Sequence, residues 1–166
     1  MTTPPRQGIT SSLRLLGTVG FILGSVLSIL GLAMASAIVV SVFNSEIRTA
    51  LWLTAASGIT ILSGLLLRSL AGKPSSITIK EGFATVGLAW FVLALFGALP
   101  YLLTGAIPSF TDAVFESTSG FTTTGFSTIL DPGALPAGVL YWRGLTNWLG
   151  GLGVVMIGVI VLPRLG

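Results

Sequence analysis

The chain has 166 residues, of which 52% are hydrophobic and 8% charged, with eight Lys and Arg against five Asp and Glu. A mean hydropathy of +0.98 and so few charges separate it from soluble domains, where about a quarter of residues are charged, and mark an integral membrane protein. Without cysteine or histidine it lacks disulfides, a thiolate nucleophile, Cys-ligated zinc and the usual proton shuttle. Its basic residues stand singly rather than in the stripe that nucleic acid would need, so no nucleic-acid partner is expected.

A helix needs about 20 apolar residues to cross the hydrocarbon core, so the gaps between charges predict the spans. The first is residues 15–45, following Arg6 and Arg14. Small residues near Ala35 imitate a signal-peptide cleavage site, but the apolar run continues through Ile38 to Phe43, longer than a signal core, and a retained helix fits better. The second span is residues 49–67, between Arg48 and Arg68; the third is residues 83–103, stopping near Pro100 and Gly105. The fourth, residues 139–162, carries Arg143 near its start and ends at Pro163.

Between the third and fourth spans the chain is too polar for a crossing and too apolar for a plain surface loop. Ser109 or Thr111 can cap a short helix over 112–119, with Asp112 in its first turn and Gly120 as its terminator. Residues 122–128 then return as extended chain, and Asp131, Pro132 and Gly133 make a turn towards the fourth span. The expected fold class is an all-α integral membrane protein. Residues 1–80 supply two leading transmembrane helices, and residues 81–166 one span-pore helix-span unit with a re-entrant filter loop over 122–127.

Lys and Arg accumulate on the cytoplasmic side of membrane proteins. An inside N terminus puts Arg6, Arg14, Arg68, Lys73, Lys80 and Arg164 in the cytoplasm and leaves only Arg48 and Arg143 outside. The re-entrant segment then dips in from the outer face.

Irregular polar backbone at membrane depth persists only where protein surrounds it or where it lines a watery cavity. Rings of backbone carbonyls replace the hydration shell of a potassium ion, and Thr122 to Phe126 have suitable chemistry. Threonine favours extended backbone, and Gly125 permits angles that a side chain forbids. The short helix aims its negative C-terminal end at such an ion. The plain alternative is an interfacial loop whose hydroxyls cap helix ends and meet water.

Asp112 and Glu116 share one helix face, but an intramembrane protease draws its acids from separate helices, and no coherent acid-base pair is present. No enzymatic activity is expected. Glu116 either bonds to polar groups behind the filter or adds negative potential at the outer mouth. Arg143 either braces the hairpin, through Asp112, Glu116 or a carbonyl, or snorkels to the interface beside Tyr141 and Trp142. Gly150, Gly151 and Gly153 leave a smooth surface for close packing, as do Gly17, Gly20, Gly24 and Gly31 on the first span.

The run Phe115 to Gly125 resembles the first pore segment of the Trk/Ktr/HKT potassium transporters, most closely the N-terminal part of the bacterial Trk membrane subunit. Tyr141-Trp142-Arg143 and Asn147 to Gly153 resemble the start of the helix after it. The likeness covers residues 80–166; residues 1–80 match as two leading helices of the Trk branch. It implies potassium transport in the inner (plasma) membrane, without a cofactor, potassium being the cargo. Thr123 and Thr124 would supply ion-facing carbonyls, supported by Thr122, Gly125, Phe126 and Ser127, with Asp112, Glu116 and Arg143 behind them. It also implies a cytoplasmic nucleotide-binding regulatory subunit. The family surrounds one pore with four such repeats, whereas one hairpin is found here. The expectation is a truncated chain, completed by the remaining repeats or, less simply, by further copies. The competing function is a non-conducting membrane scaffold or assembly subunit.

Overall fold

Long apolar runs free of proline satisfy their backbone hydrogen bonds only by coiling, so this chain is helical wherever its sequence is continuously apolar. The computed structural model describes residues 7–72 and 79–161, with side chains over 15–72 and 81–153. The side chains of Arg6, Arg14, Lys73, Lys80 and Arg164 lie outside that range. The helices are α1 (Gln7–Phe43), α2 (Ile47–Ala71), α3 (Ile79–Gly97), α4 (Leu99–Thr104), α5 (Phe110–Phe121) and α6 (Ala137–Val161), with a 3-10 turn at Pro132–Ala134. Among the described residues there is no strand.

Among the described residues, three stretches are long and apolar enough to cross a membrane: Leu15–Phe43, Ile47–Ala71 and Glu81–Thr104. The 25 residues of α6 occupy the place of the fourth expected span and reach about 37 Å. The first span ends two residues short of expectation. Helix α1 stops at Phe43 because Ser45 takes a left-handed φ of 60°. There the Ser45 amide donates to Val42 and the Glu46 amide to Ser41, the paired bonds of a Schellman ending. The third span ends at Thr104, within one residue of the expected 103, and is interrupted only at Ala98. Pro100 falls in the first turn of α4, where a missing amide hydrogen costs least.

Helices α1 and α2 form an antiparallel pair that crosses where Gly24 meets Gly64. A Cβ on Gly24 would come within 2.6 Å of the Gly64 carbonyl oxygen, an approach only glycine allows. The Ser57 hydroxyl donates to the Gly31 carbonyl at 2.7 Å across the same interface. Helix α6 packs beside this pair and begins at its turn. The amides of Ala137 and Gly138 donate to the two carboxylate oxygens of Glu46, at 2.7 and 3.3 Å. Glu46 therefore caps a helix 91 residues further along the chain, satisfying donors that α6 cannot satisfy itself. Gly138 lies against Ala37 and Ser41 with no room for a Cβ.

Candidate pore-lining site

The site is built on α5. The Ser109 hydroxyl accepts the Asp112 amide at 3.4 Å, so Ser109 is the cap and Asp112 lies in the first turn. The helix spans Phe110–Phe121 rather than residues 112–119, and Gly120 does not terminate it. Gly120 is there for packing: a Cβ would collide with the Thr146 hydroxyl on α6. Gly97 of α3 makes the matching approach to Ser117 and Phe121, and Gly150 of α6 to the Phe121 carbonyl. Gly150 is 13 residues into α6, about 20 Å from its start, so α5 runs deep into the bundle before the chain turns back.

The turn closes with the same pair of bonds seen after α1. The Thr123 amide donates to Gly120 at 2.9 Å and the Thr124 amide to Ser119 at 3.0 Å, with Thr123 left-handed at φ 56°. A β-branched residue in that region is a genuine outlier, costing about 1–2 kcal/mol. The expected extended return therefore does not begin at Thr122, which is still helical at φ −82° and ψ 0°. It starts after Thr123, because the helix end needs a left-handed residue to close. Gly125 is left-handed again at φ 80°, so the ribbon alternates handedness over four residues.

Beyond that turn the chain is held from behind. Glu116 is 3% exposed. One of its oxygens accepts Arg143 Nε at 2.6 Å, and the other accepts the Thr128 amide at 3.1 Å. The Ser127 hydroxyl lies 3.1 and 2.9 Å from the two oxygens. The Ser119 hydroxyl donates to the Phe126 carbonyl at 2.5 Å. A buried carboxylate holds its charge only with such partners, and here those partners are the returning chain and α6. Arg143 thus braces through Glu116; the Asp112 carboxylate takes no partner among the described residues. The indole of fully buried Trp142 donates to the Gly97 carbonyl at 3.0 Å and meets the Phe121 ring edge-on at 6.4 Å.

Between these fixed ends Thr122 to Thr128 are exposed, Phe126 by 71%. The Thr122 carbonyl accepts the Thr123 hydroxyl, and that of Phe126 is held by Ser119. Among the described residues nothing donates to the carbonyl oxygens of Thr123, Thr124 and Gly125. Sequence reasoning missed Ser119, Thr128 and Gly97, whose partners are set by tertiary approach. It also missed Glu46, although an acidic residue in a helix-helix turn hints at a capping role.

A family model described as TrkH, cation transport protein, matches residues 49–166. The chain is 41% identical over 150 residues to the Trk system potassium uptake protein TrkH of Halomonas elongata, covering 87% of this chain and 30% of that protein. An uncharacterized cation transporter of Methanocaldococcus jannaschii is 33% identical over 145 residues, with 87% and 30% covered. The crystal structure of the potassium transporter TrkH from Vibrio parahaemolyticus superposes with a TM-score of 0.82 at 28% identity, covering 89% of this chain and 32% of that one. The chain thus spans about a third of the length of these proteins, and it belongs to the TrkH cation transport family.

Proposed function

We propose that this chain supplies one wall of a potassium pathway, with the carbonyls of Thr123, Thr124 and Gly125 facing the ion. The observation that carries this is their lack of a donor among the described residues, in a ribbon fixed at one end by the α5 turn and at the other by Ser119 and Glu116. A potassium ion sheds water only where several oxygens replace it, and free carbonyls on a braced backbone provide them without reorganisation. The C-terminal end of α5 adds partial negative charge beside the same ribbon.

Thr122, Phe126 and Ser127 position the ribbon; Glu116 and Arg143 hold it, and Asp112 favours the start of α5. One ribbon is one wall, so the remaining repeats, or further copies, complete the filter. The same reading assigns an inner-membrane location with the N terminus in the cytoplasm. The start of α2, which carries Arg48, then lies outside, at the end of the bundle where α6 begins. A cytoplasmic nucleotide-binding subunit is the regulatory partner on this reading. The role is transport rather than enzymatic catalysis.

Potassium uptake in transport-deficient cells tests the proposal, using the full reading frame that encodes this chain. Replacing Gly125 by Val should abolish selective uptake while the protein still reaches the membrane, because a β-branched residue at φ 80° is strained and would add a second outlier to the one the ribbon already carries at Thr123. Undiminished uptake by Gly125→Val would remove the ribbon from the pathway and favour a scaffold role.

A further inference from the structure

Three basic side chains are described, and two have partners: Arg143 pairs with Glu116, and Arg68 lies over the Phe21 ring at 4.9 Å. Arg48 is exposed and has no ion pair or ring partner among the described residues. It stands on the wall between two hollows. One, of about 550 Å³, lies between the α1–α2 turn and the approach to α6; Ser45, Glu46, Thr49 and Pro136 help line it. The other, of about 410 Å³, runs along α2 over Leu51, Trp52 and Ala55. Arg48, Leu51, Trp52 and Ala55 keep the helical i, i+3, i+4, i+7 spacing, so they form one outward stripe.

We propose that this face of α2 seats one phospholipid molecule, with its phosphate on Arg48, its headgroup in the polar hollow and the upper part of one acyl chain along Leu51, Trp52 and Ala55. The order of chemistry along α2 is that of the lipid itself: polar groups, a single cation, an indole, then alkyl surface. Trp favours the headgroup level of a bilayer, and α2 is long and apolar enough to span one. The seven steps from Arg48 to Ala55 cover about 10 Å, more than the roughly 5–8 Å of one interfacial layer, so a phosphate at Arg48 puts the upper acyl chain at Ala55. Free phosphate would satisfy Arg48 but leave the apolar hollow unused, so the paired hollows select a lipid. The seat is separate from the ribbon and does not depend on its role in transport.

The test uses the full reading frame, purified and placed in nanodiscs of phosphatidylcholine containing a minor share of phosphatidylglycerol brominated on its acyl chains. Trp52 fluorescence is read as the difference between the parent protein and its Trp52→Phe variant, and lipid retained through purification is counted by native mass spectrometry. Brominated phosphatidylglycerol should quench Trp52 saturably. Arg48→Gln should raise the midpoint about fivefold, as expected for loss of one cation near the surface, and Arg48→Lys should recover most of it. Ala55→Trp, which fills the apolar hollow and keeps the cation, should lower retention as well, and millimolar inorganic phosphate should not compete. Equal retention by Arg48→Gln and the parent would overturn the seat. So would displacement by phosphate, or a Trp52 shielded from every brominated lipid, as when another protein chain covers this face.

Discussion

Two turns of this molecule end a helix in the same way and then diverge. After α1 and after α5, the chain closes with paired Schellman bonds around a left-handed residue that is not glycine, Ser45 in one case and Thr123 in the other. Each turn is associated with a carboxylate that binds backbone amides, Glu46 for α6 and Glu116 for the returning ribbon. Each is also backed by a glycine of α6, Gly138 at Ala37 and Ser41, and Gly150 at Phe121. After Ser45 the chain goes straight into α2, and the Ala50 amide bonds the Glu46 carbonyl. From Thr123 to Gly125, three carbonyls take no donor among the described residues. The same local device serves architecture in one place and presents oxygen atoms in the other. A helix that resumes at once uses up its carbonyls; a ribbon that delays leaves them free.

The largest effect should come from removing the carboxylate behind the ribbon. Glu116→Ala leaves Arg143, Ser127 and the Thr128 amide without their acceptor, a loss of about 3–5 kcal/mol for a broken buried pair. Uptake should fall more than tenfold, and limited proteolysis should open the segment 122–131. Glu116→Gln, which keeps an acceptor but loses the charge, should fall between; indistinguishable uptake by both variants would detach Glu116 from the ribbon.

Next is the glycine behind each turn. Gly150→Ala puts a methyl group against the Phe121 carbonyl, and Gly138→Ala puts one against Ser41; each should cost about 1–3 kcal/mol of thermal stability in detergent. The comparison sharpens in function, because only Gly150→Ala shifts the helix end that carries the ribbon and should alter potassium selectivity. Equal effects on selectivity would show that the turns are not functionally distinct.

Glu46→Ala should cost about 1–2 kcal/mol, the usual range for a lost helix cap, seen as a lower melting temperature with selectivity kept. The smallest change is expected for Ser45→Gly, where relief of the left-handed penalty outweighs the added freedom of the unfolded chain by about 0.5 kcal/mol. Thr123→Gly shares that gain in melting temperature yet should alter ion selectivity, since it loosens the backbone between the open carbonyls.

The helical architecture was legible because charge spacing and hydropathy act locally, and a helix in lipid has no alternative partner for its backbone. The hairpin's plan was legible for the same reason, down to Ser109 as a candidate cap. Gly120 misled, since a glycine late in a helix reads as a terminator, while its contact with Thr146 is set by a partner far along the chain. Thr123 misled differently: threonine's preference for extended backbone was overridden by the geometry of closing α5. The choice among Asp112, Glu116 and a carbonyl as the partner of Arg143 needed three dimensions. Both acids share a helix face, but only the one a turn deeper reaches α6.

The reach of Glu46 to Ala137 also bears on the order in which the molecule is made. A chain emerging from the ribosome produces the α1–α2 turn long before α6, so the Glu46 carboxylate precedes by 91 residues the first amide it accepts. When α6 is made, the acceptor for its first-turn amides already exists. The α1–α2 pair thereby fixes the point at which α6 begins.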